Sequence, residues 1–345
     1  MDDDRRIAVV TGASAGIGRA SAIAFAARGW TVALLARGEA GLEGARRDVE
    51  AAGGKAIVVP VDVSDAGAVD AAADRIVSEC GQIDVWVNNA MATVFGPADN
   101  VPADEWRRVT EVTYLGAVFG TLAALRHMRA RDHGVIVQIG SALAYRSIPL
   151  QAPYCASKAA LRGFTDALRC ELIHDESGVK LTMVHLPGVN TPQFGWSRTH
   201  MAHRHRPVGA VYQPEAAAAA VVKAAIEAPR ELWVGLPAIE AIVGASVAPG
   251  LLDSHLARTA YDAQSGEEPA GSGEGILFAP AGRDGGVHGS FEKEAKPSAL
   301  RVKAGAARSG IALGAVAAMA GLYLLGHRSG STESTEAAGG GRRVR

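Results

Sequence analysis

Val9-Val10-Thr11-Gly12-Ala13-Ser14-Ala15-Gly16-Ile17-Gly18-Arg19 is the stretch on which the reading of this chain turns. The apolar run Ile7 to Val10 leads into a glycine-rich turn, and the turn opens a helix that begins Arg19-Ala20-Ser21-Ala22-Ile23. Strand, tight turn and helix in that order leave the first helix N–H groups unpaired, where they can receive phosphate. Glycine is required because the backbone bends sharply and a pyrophosphate must approach with no Cβ in its way. Gly12, Gly16 and Gly18 follow Gly-x-x-x-Gly-x-Gly, a spacing different from the common Gly-x-Gly-x-x-Gly dinucleotide fingerprint. Ser14 and Ile17 belong to the same turn.

Outward from this turn, short β-branched runs alternate with helical patterns. Strands are expected at 31–36, 56–61, 83–87, 134–140, 179–185 and 231–235. Helices are expected at 39–52, 66–80, 102–129, 153–175 and 216–228. Such repetition builds right-handed βαβ units into a doubly wound parallel sheet with helices on both faces, a Rossmann-like α/β fold. Ligands in such sheets bind at the carboxyl ends of strands. Asp62 falls there after the third strand, and Asn88-Asn89 after the fourth. Ala36 and Arg37 end the second strand, where a carboxylate would repel a 2′-phosphate; a guanidinium suits one, and the expected cofactor is NADP(H).

Tyr154 and Lys158 are four apart in a helical segment and share a face. A free tyrosine titrates near pH 10, and a nearby ammonium favours its phenolate, making it a workable general acid/base. Ser141, thirteen residues before Tyr154 and just after the fifth strand, can hydrogen-bond a substrate oxygen. The glycine turn, Asn88-Asn89-Ala90, Ser141 and Tyr154-x-x-x-Lys158 together resemble the short-chain dehydrogenase/reductase family over roughly residues 5–260. The resemblance implies a single catalytic domain that interconverts a carbonyl and a secondary alcohol by hydride transfer. It implies that Ser141 orients substrate, Tyr154 is the acid/base, and Lys158 contacts the cofactor ribose and modifies the tyrosine. It also implies cofactor contacts from Asp62 to adenine, from Asn89, and from Pro187, Gly188 and Thr191 near the nicotinamide. One departure stands out: Thr113-Tyr114-Leu115-Gly116 carries threonine where the family's Asn-x-x-Gly helps hold a proton-relay water. Thr113 is expected to order that water through its hydroxyl. Met91, after Asn88-Asn89-Ala90, replaces a more usual glycine.

The 35 Lys+Arg against 36 Asp+Glu give a net charge of -1, so no global field would attract nucleic acid. Cys80, Cys155 and Cys170 have neither disulfide-framework nor zinc spacing. His200, His203 and His205 cluster near Trp196 without a fixed metal geometry, and a mobile substrate loop is the expectation there. The organisation expected is a catalytic domain at 1–262, a flexible Gly/Pro/Glu/Ser-rich linker at 263–300, an anchor at 301–328 and a basic tail at 329–345. Gly310 to Gly326 carries no charge and lies at the short limit for a membrane-spanning helix. Its small residues at four-residue spacing admit close helix approach, as in a homo-oligomer. The expected placement is therefore a domain on the cytoplasmic face of a membrane, acting on a small carbonyl or alcohol. Two rival readings are a nucleotide-sugar epimerase or dehydratase, and a cofactor-binding scaffold or redox sensor that has lost turnover.

Overall fold

A computed structural model describes residues 6–270 and 273–309. The chain divides into two compact units, Met1–Arg301 and Val302–Arg345, and all that follows concerns the first. Its strands and helices run in the order β1 (Ile7–Thr11), α1 (Gly16–Ala26), β2 (Thr31–Ala36), α2 (Glu39–Ala51), β3 (Lys55–Pro60), α3 (Ala66–Cys80) and β4 (Val85–Asn88). There follow α4 (Ala103–Thr110), α5 (Gly116–Arg129), β5 (Val135–Ser141), α6 (Ala152–His174), β6 (Lys180–Leu186), α7 (Pro214–Glu227) and β7 (Glu231–Val234). Helices α8 (Leu236–Val247) and α9 (Pro249–Gln264) follow, and a one-turn helix, Gln193–Trp196, and several two- to five-residue strands lie in the connections.

The strands pair in parallel in the order β3-β2-β1-β4-β5-β6-β7. Strand order reverses between β1 and β4, so a crevice opens beyond their carboxyl ends. Both faces of the strands are apolar because both are covered. Ala8, Val10, Val32 and Leu34 pack toward Phe25 of α1, Val49 of α2 and Val221 of α7. Val9, Ala33 and Leu35 face Ile76 of α3, Met128 of α5 and Leu172 of α6. Each buried Val or Leu side chain stabilises this arrangement by about 1.5–3 kcal/mol relative to exposure.

The expected long helix at 102–129 is interrupted. Between α4 and α5 the backbone makes a π-turn, Glu111–Leu115, which holds Thr113. Such bulges widen the helix and redirect side chains, and they recur at functional sites. Asp65 caps α3, its carboxylate accepting from Ala68 N at 3.0 Å, which leaves Asp62 free of the capping role.

Within 263–300, which composition marks as linker, Gln264 ends α9, Ser265–Pro269 forms a short strand, and residues 276–291 are tied to the rest of the unit by hydrogen bonds described below. The uncharged stretch 310–326 lies outside the described residues. Among the described residues no helix is long and apolar enough to cross a membrane.

Candidate active site and cofactor crevice

The glycine turn is shaped by contact with its own backbone. Gly12 has φ +64°, a left-handed conformation. A Cβ on Gly18 would stand 2.3 Å from the Gly12 carbonyl oxygen, so only glycine lets α1 approach the turn. The residue before α1, Ala15, offers no side-chain cap, and the first helix amide, Gly16 N, donates to the Gly286 carbonyl at 3.0 Å. Asn89 braces the turn from β4: its amide nitrogen donates to Thr11 O at 2.9 Å and Gly12 O at 3.3 Å. Thr11 Oγ1 accepts from the backbone N–H groups of Asn89 (2.9 Å) and Ala90 (3.0 Å). Asn88 turns inward instead, donating to Thr121 Oγ1 and accepting from Trp86 Nε1.

Gly12, Ser14, Gly16, Ile17, Asn89 and Thr191 line one cavity together with Arg37, Asp62 and Val63. Thr191 packs its methyl near Gly16 and follows Pro187 and the short strand Gly188–Val189 after β6. Asp62 is fully engaged. One carboxylate oxygen accepts from Ser64 N (3.0 Å) and Ser64 Oγ (2.8 Å), and the other from Arg108 Nη2 at 2.5 Å. Burial opposes its ionisation, yet the Arg108 and Ser64 hydrogen bonds hold the carboxyl below its usual range. Arg37 donates to the backbone carbonyls of Ile276 (2.8 Å), Leu277 (3.3 Å) and Phe278 (3.2 Å). Burial, with Arg108 nearby, pulls its pKa down. The guanidinium therefore stands at the cavity as the sequence reading places it, with donors already turned to the chain's own carbonyls.

The candidate catalytic residues Ser141, Tyr154 and Lys158 sit at the end of β5 and the start of α6. Ser141 is the last residue of β5 and is 7% exposed; its Oγ accepts from Leu143 N at 3.1 Å. It lies beside the Tyr154 phenol. Burial pushes the Tyr154 pKa above its ordinary value, against the lowering that Ser141 provides. Lys158 is 3% exposed and donates to the Ile139 carbonyl at 2.6 Å. Its Nζ lies 5.7 Å from the centre of the Tyr154 ring. Burial pulls Lys158 down to about 8. Sequence reasoning expected the ammonium to lower the tyrosine; here burial dominates both groups, and at pH 7 the phenol keeps its proton while Lys158 keeps its charge.

Thr113 is placed differently from the expectation. Its hydroxyl accepts from Ala92 N at 2.9 Å and donates to Ala92 O at 2.8 Å, with the residue wholly buried. The one hydroxyl proton is thereby used, and none is left to order a relay water. Thr113 latches the π-turn to the chain after β4 and is a positioning residue.

Residues beyond the sequence reading support the site. His185 on β6 lies with Nδ1 3.1 Å from Ser141 O, while Tyr145 Oη donates to Glu231 at 2.6 Å and Trp233 Nε1 to the same carboxylate oxygen at 3.2 Å. The available signal is the apolar run of β6, buried from Leu181 to Leu186, which carries His185 inside. The three clustered histidines are separated: His200 bonds Glu105 at 2.7 Å, His205 stacks on Phe95 with ring centres 3.5 Å apart, and His203 is exposed. Burial lowers His205 to about 4.

A family model described as short chain dehydrogenase matches residues 6–202. The chain belongs to the short-chain dehydrogenase family. Among its relatives is the uncharacterised oxidoreductase YxnA of Bacillus subtilis, 31% identical over 282 residues, which are 80% of this chain and 78% of that one. A solved structure from Sinorhizobium meliloti, titled as a candidate short-chain alcohol dehydrogenase, is 34% identical with a TM-score of 0.51. It covers 54% of this chain and 72% of that one. Levodione reductase is 27% identical with a TM-score of 0.52, covering 54% of this chain and 73% of that one. This short-chain dehydrogenase is accordingly an oxidoreductase of a family that binds a nicotinamide cofactor, and its glycine cradle fits one.

Proposed function

We propose that this short-chain dehydrogenase interconverts a carbonyl and a secondary alcohol with NADP(H), using Tyr154 as acid/base. The observation that carries this reading is Ser141 beside Tyr154, with the buried Lys158 5.7 Å from the Tyr154 ring, near the crevice at the carboxyl ends of β1 and β4. A nicotinamide, when bound, supplies or takes the hydride. The chain's own groups do the rest. Ser141 holds the substrate oxygen, and Tyr154, protonated at pH 7, gives that oxygen a proton in the reducing direction. Lys158, cationic below about pH 8, favours the phenolate left behind. The turn of Gly12, Gly16, Ile17 and Gly18 would receive the pyrophosphate at the start of α1, through amides other than Gly16 N, which already donates to the Gly286 carbonyl. Ser14 and Arg37, which line the cavity, would hold the adenosine ribose, and Asp62 would border the adenine. Asn89 holds the turn in shape, and Pro187, Gly188 and Thr191 border the nicotinamide end. NADP(H) is favoured by Arg37 after Ala36, with no carboxylate at the end of β2.

The test is calorimetric titration of NADPH and NADH into the full-length protein, wild type and Tyr154→Phe. NADPH should bind more tightly than NADH, and Tyr154→Phe should keep that binding while losing turnover. Equal affinity for both nucleotides would refute the cofactor assignment. The uncharged stretch 310–326 is proposed to anchor the protein at a membrane, leaving the catalytic unit on the cytoplasmic side, and homo-oligomer formation is proposed through its small residues.

A further inference from the structure

The cavity at the glycine turn has a wall that the family match at 6–202 does not include. Residues 276–289 cross it as an irregular segment, and their hydrogen bonds fasten them at three places. At the near end Ile276 N donates to Trp196 O at 2.9 Å, and the carbonyls of 276–278 take the three donor contacts of Arg37. Leu277 is buried there against Val94, Val101 and Val109, and its carbonyl also accepts from Arg108 Nε at 3.2 Å. In the middle, Asp284 pairs with Arg19 of α1, itself 5% exposed and paired on its other side with Asp48 of α2 at 2.7 Å. Asp284 also accepts from Gly286 N at 3.0 Å, and the Gly286 carbonyl accepts from Gly16 N at 3.0 Å. At the far end Gly289 N donates to Asn190 O at 3.2 Å, and Asn190 Oδ1 accepts from Phe291 N at 2.9 Å. The side chains of Ile276, Pro280, Ala281 and Arg283 thus face the glycine turn and the ends of β2 and β3 across the cavity.

Charge on the two walls is unequal. Asp62 is neutralised by Arg108 and Asp284 by Arg19. Arg283 lines the cavity with no hydrogen bond or ion pair to any described residue, and Arg37 meets only carbonyls and, at 4.0 Å, Asp62. The excess on the lining is cationic, from Arg37 and Arg283, which suits an anion of the phosphate class.

We propose that residues 276–289 are part of the cofactor site, a strap closing over the adenosine half of the dinucleotide, with Arg283 as a second cation for the 2′-phosphate. The proposal rests on the NADP(H) reading above. Cofactor sits between strap and sheet, and it leaves only when the Asp284–Arg19 and Gly286–Gly16 contacts open. The glycines at 282, 285, 286 and 289 supply the bends that such opening needs, and Gly286 already has φ +67°.

Stopped-flow release of NADPH and NADH from the full-length protein tests this, read by quenching of tryptophan fluorescence, since Trp196 lines the same cavity. Arg283→Ala, an exposed position whose loss leaves folding intact, should weaken NADPH about tenfold, one charge-assisted hydrogen bond, and leave NADH nearly unchanged. Asp284→Asn should raise the release rate of both nucleotides about tenfold without changing the melting curve of the free protein by more than a few degrees. Unchanged NADPH affinity in Arg283→Ala, or equal weakening of both nucleotides, overturns the role of Arg283. Tighter binding in Asp284→Asn would show that the strap occupies the site instead of covering it, and would overturn the proposal. Wild type that binds neither nucleotide defeats the NADP(H) reading itself; binding with variant rates equal to wild type defeats the strap alone.

Discussion

Lys158 is buried in the folded chain, its Nζ donating to the Ile139 carbonyl at 2.6 Å. A lysine held at about 8 in the folded protein and 10.5 unfolded binds fewer protons when folded between those values. Folding stability is thus penalised below about pH 8, by on the order of 3 kcal/mol, and the penalty is lifted as pH rises from about 8 to 10.5. Lys158→Met should therefore melt at a higher temperature than wild type at pH 7, with the gap closing near pH 10, while turnover is lost. A destabilised Lys158→Met at pH 7 would show that the ammonium is compensated in the fold. In the same pair, Tyr154→Phe should lower turnover by about 10²–10⁴-fold, and wild-type reduction should decline as pH rises through about 8, where Lys158 discharges. A steady-state pH profile of reduction checks the second point. Ser141, Tyr154 and Lys158 were legible because their relation is local: a strand end and two residues one helical turn apart. Arg37 was legible as a cation at the strand end. Its partners lie some 240 residues on, and no short-range pattern announces them.

At the level of elements, the sheet and its helices follow from apolar runs and their periods, and expected strand boundaries fall within two residues of those observed. Two features escaped. The π-turn at Glu111–Leu115 has the same apolar spacing as a continuous helix and is fixed by a tertiary bond, the Thr113 latch to Ala92. Thr113→Val would leave the Ala92 N–H and carbonyl unpaired in the interior. It should cost about 1–3 kcal/mol, read from denaturant unfolding, whereas Thr113→Ser should stay near wild type. A Thr113→Val protein as stable as wild type would contradict the latch. The strap escaped for a different reason. Its Gly/Pro/Glu/Ser composition is that of a linker, and it is held mainly by backbone carbonyls and by Asp284, with Leu277 its one deeply buried apolar side chain. Composition reports how much apolar surface a segment can bury, and it is silent on main-chain hydrogen bonds.

Across the whole molecule, the catalytic unit within Met1–Arg301 holds every residue assigned to chemistry, the strap included. A chain ending at Ser309 should therefore be soluble and keep cofactor binding, while full-length protein should resist carbonate extraction from membranes. Full-length protein released by carbonate would remove the anchor and leave the oxidoreductase reading untouched. The central claim is that this chain moves a hydride between NADP(H) and a carbonyl carbon with Tyr154 as proton donor. It is tested most directly with NADPH deuterated at the nicotinamide C4 and a panel of aldehydes and ketones, analysed by mass spectrometry of the alcohols. Wild type should place one deuterium on the carbinol carbon of at least one product, and Tyr154→Phe, with cofactor bound, should place about 10²–10⁴-fold less in the same time. Deuterium transfer that survives Tyr154→Phe undiminished would contradict the claim.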